Sequence, residues 1–173
     1  PSQERVMARF DMFLKAKGQK TGEIVGESTD KRFAKQIEIV DWSWGMSSPT
    51  DVATGRPSGR RRLEQLKLVK RVDRASTALL AVLSHNEVLK EAVLSVRKAG
   101  GQDPLPYLVV TLGSARIVSY TVGSERAADG APVLTEHLAL GFESIQVDYT
   151  QQSATGAGLA QSSFMDDIGP GMV

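Results

Sequence analysis

The side chains of this chain best suited to catalysis are two histidines, His85 and His137, and the sequence contains no cysteine. A histidine beside a serine could act as a general base in acyl transfer, but no serine lies in the G-x-S-x-G pattern of a nucleophile elbow. The lack of cysteine excludes thiol catalysis and thiolate metal sites, and two histidines exclude a histidine-rich metal site. We therefore expect no catalytic or metal site and interpret both histidines as polar residues of a surface or interface.

Nucleotide and cofactor motifs are also missing from the sequence. It contains no G-x-x-x-x-G-K-[ST] and no G-x-G-x-x-G that opens a helix, so no loop is suited to cradle phosphates. The adjacent carboxylates Asp166 and Asp167 have no partner base in their surroundings in the sequence. The sequence therefore predicts neither a cofactor nor an enzyme.

Arginines concentrate around one loop, although the formal net charge of the chain is only +1. They are Arg56, Arg60, Arg61 and Arg62. Nucleic-acid binding requires aromatic side chains among the cations, and this stretch has none, so we expect no nucleic-acid partner. Two interpretations stay open, a solvated face and a protein-contact loop, since arginine is favoured at protein interfaces for its fork of donors.

The element that precedes this loop holds both tryptophans of the chain. Trp42 and Trp44 are two residues apart, which places both rings on one face if residues 36–46 form a regular strand. The residues at positions 38 and 40 would share that face, and those at 37, 39 and 41 would point the other way. Because each indole offers about 150–250 Å² of surface for burial, we interpret this segment as a core strand.

The remaining pattern is mostly antiparallel β with one short helix. Residues 47–61 form a loop without periodicity, and loops of such length are often functional. The helix is predicted over 73–83, capped by Asp73 or Ser76. Further strands are predicted at 7–16, 63–72, 91–98, 105–123 and 133–150, the last as a strand pair or one bent strand. About eight strands should close as a barrel or stack as a sandwich, because a free edge is a hazard.

Membrane insertion and classical export are not predicted. No apolar run approaches the roughly 18 residues of a transmembrane helix. The first residues, P-S-Q-E-R-V-M-A-R, lack the apolar segment of a secretory signal. If the protein leaves the cell, we expect another route.

Several segments, in order from about Met7 to Tyr149, resemble the hemolysin-coregulated protein (Hcp) family, which forms the inner tube of the bacterial type VI secretion system. The segment most typical of the family is V-D-W-S-W-G-M, within residues 39–46. The others are D-M-F-L-K at 11–15, G-E-S-T-D-K at 26–31, D-R-A-S-T at 73–77, V-L-S-V-R-K-A-G-G at 93–101, Tyr107-Leu108 and L-x-F-x-x-I-Q-V-D-Y at 140–149. The resemblance implies an Hcp-like β-barrel domain at 7–150, preceded by an extension at 1–6. The Gly, Ser, Ala and Gln content of residues 151–173 indicates a flexible tail.

The resemblance implies a two-sheet antiparallel β-barrel with one flanking helix, and an assembly of such barrels. Hexameric rings would stack into a tube inside a contractile sheath, with a spike protein at the tip and small secreted effectors in the lumen. The protein would lie in the bacterial cytoplasm before firing and outside the cell afterwards. A phage-type tail-tube protein and a monomeric β-barrel binding module are the alternatives.

The resemblance also suggests roles for particular residues. The family has an extended loop that reaches the next ring, and it corresponds to residues 47–62. We therefore expect ring-stacking contacts from Ser48, Asp51, Arg56, Arg60, Arg61 and Arg62. Small polar side chains should line the lumen, with Ser119, Thr121 and Ser124 as candidates and an ordinary solvated sheet face as the alternative.

Overall fold

The computed structural model describes residues 10–99, 105–152 and 158–169. The elements of these ranges are β1 Phe10–Gly18, β2 Gly22–Ile24, β3 Ile37–Ile39, β4 Asp41–Ser43, β5 Met46–Ser47, β6 Arg62–Leu63, β7 Leu66–Arg71, α1 Ser76–Ser84, β8 Leu89–Lys98, β9 Leu108–Gly113, β10 Arg116–Arg126, β11 Pro132–Gly141, β12 Ser144–Gln152 and β13 Gly158–Asp167. The prediction of a mainly β chain with one short helix is confirmed.

The strands pair in antiparallel fashion in three sheets. Sheet A has the order β13-β12-β9-β8-β1-β2, with β3 also paired to β1, and sheet B has the order β10-β11-β7-β4. The strands β5 and β6 form a separate two-stranded ladder. The expected two-sheet barrel is wrong, because the described strands form three sheets and neither large sheet closes on itself. Alternation along a strand indicates which face is buried but not which strands end a sheet.

The core lies between sheets A and B, on the face that alternation indicates. In β8, Ala92, Leu94 and Val96 are buried at every second position, and in β7 Leu66 and Leu68 are buried in the same way. This pattern confirms the strands predicted at 91–98 and 63–72.

The helix α1 packs on this core and begins three residues later than predicted. Asp73 and Ser76 bond across the preceding turn: the Asp73 N–H donates to Ser76 Oγ at 2.9 Å, and Asp73 Oδ1 accepts the N–H of Ala75 at 2.9 Å. Leu79 and Val82 are buried. Within the described ranges, no helix has the length and apolar character needed to cross a membrane.

The tryptophan segment is two strands and not one. The strand β3 pairs with β1 in sheet A, whereas β4 pairs with β7 in sheet B. Because the chain changes sheets at Val40, the alternation restarts there. Ile37 and Ile39 are buried, and Trp42 and Trp44 are half-buried against the same core. The expectation that positions 38 and 40 share the tryptophan face is wrong, since both are exposed.

The two long predicted strands, 105–123 and 133–150, are also divided between the sheets. The strands β9 and β12 lie in sheet A, and β10 and β11 lie in sheet B. Their connections are adjacent, because Gly113 pairs with Ser144. A side chain at Gly113 would collide with Ser144 Oγ, and Ser114 follows with φ at 48°. The strand-pair alternative for 133–150 is confirmed, and the predicted single strand over 105–123 is divided in two.

Regular structure continues beyond Thr150, where a flexible tail over 151–173 was expected. The strand β12 runs to Gln152, and β13 pairs with it, with Phe164 opposite Val147. The Gly, Ser, Ala and Gln content does not indicate a strand. These residues can nevertheless form one, because the hydrogen bonds of an antiparallel ladder join backbone groups. The predicted extension at 1–6 lies outside the described residues.

Candidate functional site

The predicted loop is a two-stranded projection, which we call the arm and define as residues 46–63. At its base, Met46 pairs with Leu63, and farther out a bridge joins Thr50 to Pro57. Every residue from 50 to 62 is exposed. The arm is therefore an ordered and mostly exposed surface. The expectation of a loop without regular structure is wrong.

The tip of the arm is shaped by Asp51. Its Oδ1 accepts the N–H groups of Ala53 at 2.8 Å and Thr54 at 2.9 Å, and its carbonyl accepts the N–H of Gly55 at 2.8 Å. Gly55 has φ at 66°, a conformation that suits glycine. The hydrogen bonds from Thr54 and Ala53 hold the pKa of Asp51 below its ordinary value. Asp51, expected as a stacking contact, is thus the residue that closes the turn.

The four arginines of the arm differ in their surroundings. Arg61 donates from Nε and Nη2 to both carboxylate oxygens of Asp166 on β13, a bidentate ion pair. This contact with Asp166 raises the pKa of Arg61, and the Arg61 guanidinium lowers the pKa of Asp166. Arg56, Arg60 and Arg62 are exposed. Ser48 is exposed as well, and its carbonyl accepts the Thr50 hydroxyl.

The base of the arm rests on the core. Leu63 is half-buried there, as are Trp42 and Trp44 just before the arm. The Glu64 N–H donates to the Gly45 carbonyl at 2.9 Å and closes the ladder. The tryptophans therefore pack against the core next to the base of the arm.

The three lumen candidates lie on both faces of sheet B. Ser119 and Thr121 are exposed on the outer face, where they line a shallow groove of about 300 Å³ with Lys67 and His137. Ser124 pairs with Leu134 and shares its face with Tyr120, because it lies an odd number of positions from Thr121. The structure therefore brings together two of the three candidates and separates the third.

Sequence reasoning missed a buried polar cluster between sheet B and the start of α1. Lys70 and Glu136 are cross-strand partners, both fully buried, and form an ion pair. Lys70 Nζ also donates to Asp73 Oδ1 at 2.8 Å, and the Tyr120 hydroxyl donates to Glu136. Burial first, and then Glu136, raises the pKa of Tyr120. The sequence carries one signal for this cluster: in β7 and in β11, a charged residue occupies a position that the alternation assigns to the core.

A second missed cluster lies on the outer face of sheet A. The Phe13 and Phe33 rings are stacked with centroids 4.6 Å apart, and the Arg97 guanidinium lies 5.3 and 5.5 Å from them. Arg97 also pairs with Asp11 and Asp30. Four of these residues come from the family-like segments at 11–15, 26–31 and 93–101, so segments distant in sequence meet here. The cluster holds the loop that contains Phe33 against the sheet.

Both histidines lie at the surface, and no metal-binding arrangement surrounds them in the described part of the chain. His85 is exposed, and exposed His137 has Nε2 2.5 Å from Glu125 Oε1. Across residues 10–99, 105–152 and 158–169, no three His, Cys, Asp or Glu side chains converge in a way that could hold a metal ion.

The chain is similar to type VI secretion proteins over most of its length. The family model described as "Type VI secretion system effector, Hcp" matches residues 13–149. Protein hcp1 of Pseudomonas aeruginosa is 35% identical over 149 residues, which cover 85% of this chain and 87% of that protein. Among solved structures, Hcp1 from Salmonella typhimurium has a TM-score of 0.68 at 24% identity, covering 94% of this chain and 96% of that one. A structure described as a type six secretion system protein reaches 0.78 at 20% identity, covering 92% and 96%.

Proposed function

The chain belongs to the Hcp family of the type VI secretion system, and from this premise we propose that it is a building block of the secretion tube. In this proposal the chain forms hexameric rings, and the rings stack through the arm. The stack lies inside the sheath, carries the spike protein at its tip and is exported from the cytoplasm without a signal peptide.

The ends of the two large sheets support ring formation. In the described structure β13 ends sheet A and β10 ends sheet B. Both strands expose large apolar side chains, Phe164 and Met165 on β13 and Val118 and Val122 on β10. Exposed edges with apolar side chains favour association. In a closed head-to-tail ring, each subunit uses two different surfaces, and each of them is covered by a neighbouring subunit.

The arm is the single observation that carries the stacking part of the proposal. It is an ordered ladder with residues 50–62 all exposed, and Arg56, Arg60 and Arg62 are among them. Arginine at such a position suits contact with carboxylates or backbone carbonyls of another subunit. We assign the stacking contact to these three arginines.

The outer face of sheet B is the surface that we assign to the lumen. Ser119 and Thr121 give it small hydroxyl groups, and Lys67 and His137 border the same groove. Small secreted effectors would contact this face in transit. Ser124 is left out of the assignment, because it lies on the other face of β10.

Charge reversal at Arg60 tests the stacking role of the arm. We expect Arg60→Glu to leave single rings intact and to abolish most of their stacking, because a repulsive charge would then face the next ring. Arg74→Glu is the matched control, since Arg74 is exposed but lies outside the arm. Negative-stain electron microscopy and sedimentation velocity at one protein concentration measure rings and stacks separately.

The same experiment distinguishes two failures. If Arg60→Glu breaks the rings themselves, the arm belongs to the lateral interface and not to the stacking surface. If rings and stacks both persist unchanged, the arm has no part in assembly.

A further inference from the structure

The base of the arm is tied to the last strand of the chain. We infer that β13 sets the direction of the arm through the Arg61–Asp166 pair, so that Arg61 is a positioning residue and not a contact to the next ring. Its consequence for stacking rests on the proposed function, whereas the positioning itself is a property of the single chain.

The geometry of the pair suits a mechanical link. Asp166 is opposite Ile145 in the ladder, which places it on the core side of sheet A. Its side chain is only 12% exposed, whereas that of Arg61 is 48% exposed. Two parallel hydrogen bonds fix the orientation of a guanidinium as well as its distance. A carboxylate held by the sheet therefore orients a side chain of the arm.

A second contact region lies beside the pair. Leu63 of the arm and Ile168, just after β13, are both half-buried against the core. They line one groove with Arg60, Arg61 and Asp167. The Ile168 N–H donates to the Glu143 carbonyl at 2.8 Å, which holds the end of β13 in place. The arm therefore stands next to a fixed segment that is about a hundred residues away in sequence.

The rest of the arm has few connections that could set its direction. In the described part of the chain, its hydrogen bonds are internal, apart from the base ladder and the Arg61–Asp166 pair. The Ser58 N–H donates to the Pro49 carbonyl, and the Asp51 N–H to the Arg56 carbonyl. These bonds preserve the shape of the arm but leave its angle to the sheets undetermined. Loss of the pair should thus free the arm as a unit.

Neutralising either partner and then exchanging their charges tests the inference. We expect Arg61→Gln and Asp166→Asn each to raise amide exchange across residues 46–63 several-fold in unstacked rings and to reduce stacking. The double variant Arg61→Asp with Asp166→Arg should restore slow exchange and stacking together. Arg56→Gln is the matched control for exchange, because the exposed Arg56 side chain lies outside both the pair and the groove beside it. Hydrogen-exchange mass spectrometry of the full chain gives the first readout, and sedimentation gives the second.

Each outcome separates positioning from contact. Unchanged arm exchange in Asp166→Asn would overturn the inference. Slow exchange without stacking in the charge-exchanged double variant would also overturn it, because Arg61 would then bind the next ring directly. Faster arm exchange with unchanged stacking would support the positioning role and would contradict the proposed stacking role of the arm.

Discussion

Single residues decide how the arm and the helix are held, and several of them act across long sequence separations. Asp51 shapes the tip of the arm within four residues, whereas Arg61 reaches Asp166 on the last strand. The first contact is local and of a common kind, because Asp often accepts backbone N–H groups in turns, yet the sequence led us to expect a stacking contact from Asp51. The second could not be predicted, because nothing near either residue indicates its partner.

The buried Lys70–Glu136 pair gives a prediction on stability. Lys70→Met leaves the Glu136 carboxylate buried without its cation and should lower the free energy of unfolding by about 3–5 kcal/mol. The double variant with Glu136→Leu should regain much of this loss, although it removes the carboxylate that accepts the Tyr120 hydroxyl. Urea unfolding at fixed protein concentration measures both variants. A double variant no more stable than Lys70→Met would show that the loss comes from elsewhere.

Glu87 gives a prediction on pH. It closes the turn between β1 and β2, since Oε1 accepts the Thr21 N–H and Oε2 the Thr21 hydroxyl, each at 2.7 Å. The hydrogen bonds from Thr21 hold the pKa of Glu87 below its ordinary value of 4.5. Because the folded pKa is the lower one, the stabilisation is complete above 4.5 and is lost as the pH falls through the folded pKa.

The variant Glu87→Gln removes this dependence. We expect it to be less stable than the natural chain at neutral pH and the difference to shrink as the pH falls below 4.5. Glu91→Gln is the control, because Glu91 forms an exposed pair with Lys15 that contributes little. Unfolding curves across this pH range measure the difference. A gap between Glu87→Gln and the natural chain that persists at low pH would contradict the account.

Elements could be predicted wherever alternation or helical character is strong, and they could not where the chain changes sheets. The alternating apolar residues of β7 and β8 indicate strands correctly. The crossing at Val40 was missed, because the change in phase of the alternation there also fits one strand with apolar residues on both faces. The strand β13 is invisible for another reason, since its small polar residues are also typical of linkers.

The loop over residues 25–36 gives a prediction at this scale. Arg97→Lys keeps the charge but loses the planar group that lies against Phe13 and Phe33. We expect a loss of about 1–2 kcal/mol in stability and faster amide exchange at Ser28 and Lys35, whose N–H groups bond within the loop.

The exposed neighbour Lys98 supplies the control for this variant. Lys98→Ala should leave exchange in the loop unchanged, because Lys98 is outside the cluster. Equal exchange in Arg97→Lys and the natural chain would show that Arg97 does not hold the loop.

At the scale of the whole molecule, the family could be recognised from sequence segments, and the structure explains part of that recognition. Three of the segments meet in the Arg97 cluster, and the tryptophan segment supports the arm. The stacking role of residues 47–62 stays a prediction. The internal order of the arm and its tie to β13 could not be predicted, because in both cases the partners are not adjacent in sequence.

Ring formation is the central claim, and native mass spectrometry of the full chain tests it most directly. The proposed assembly predicts a dominant species with six times the mass of the chain, with larger species at multiples of that mass when rings stack. The mass of a single chain across a wide range of protein concentrations and buffers would contradict it.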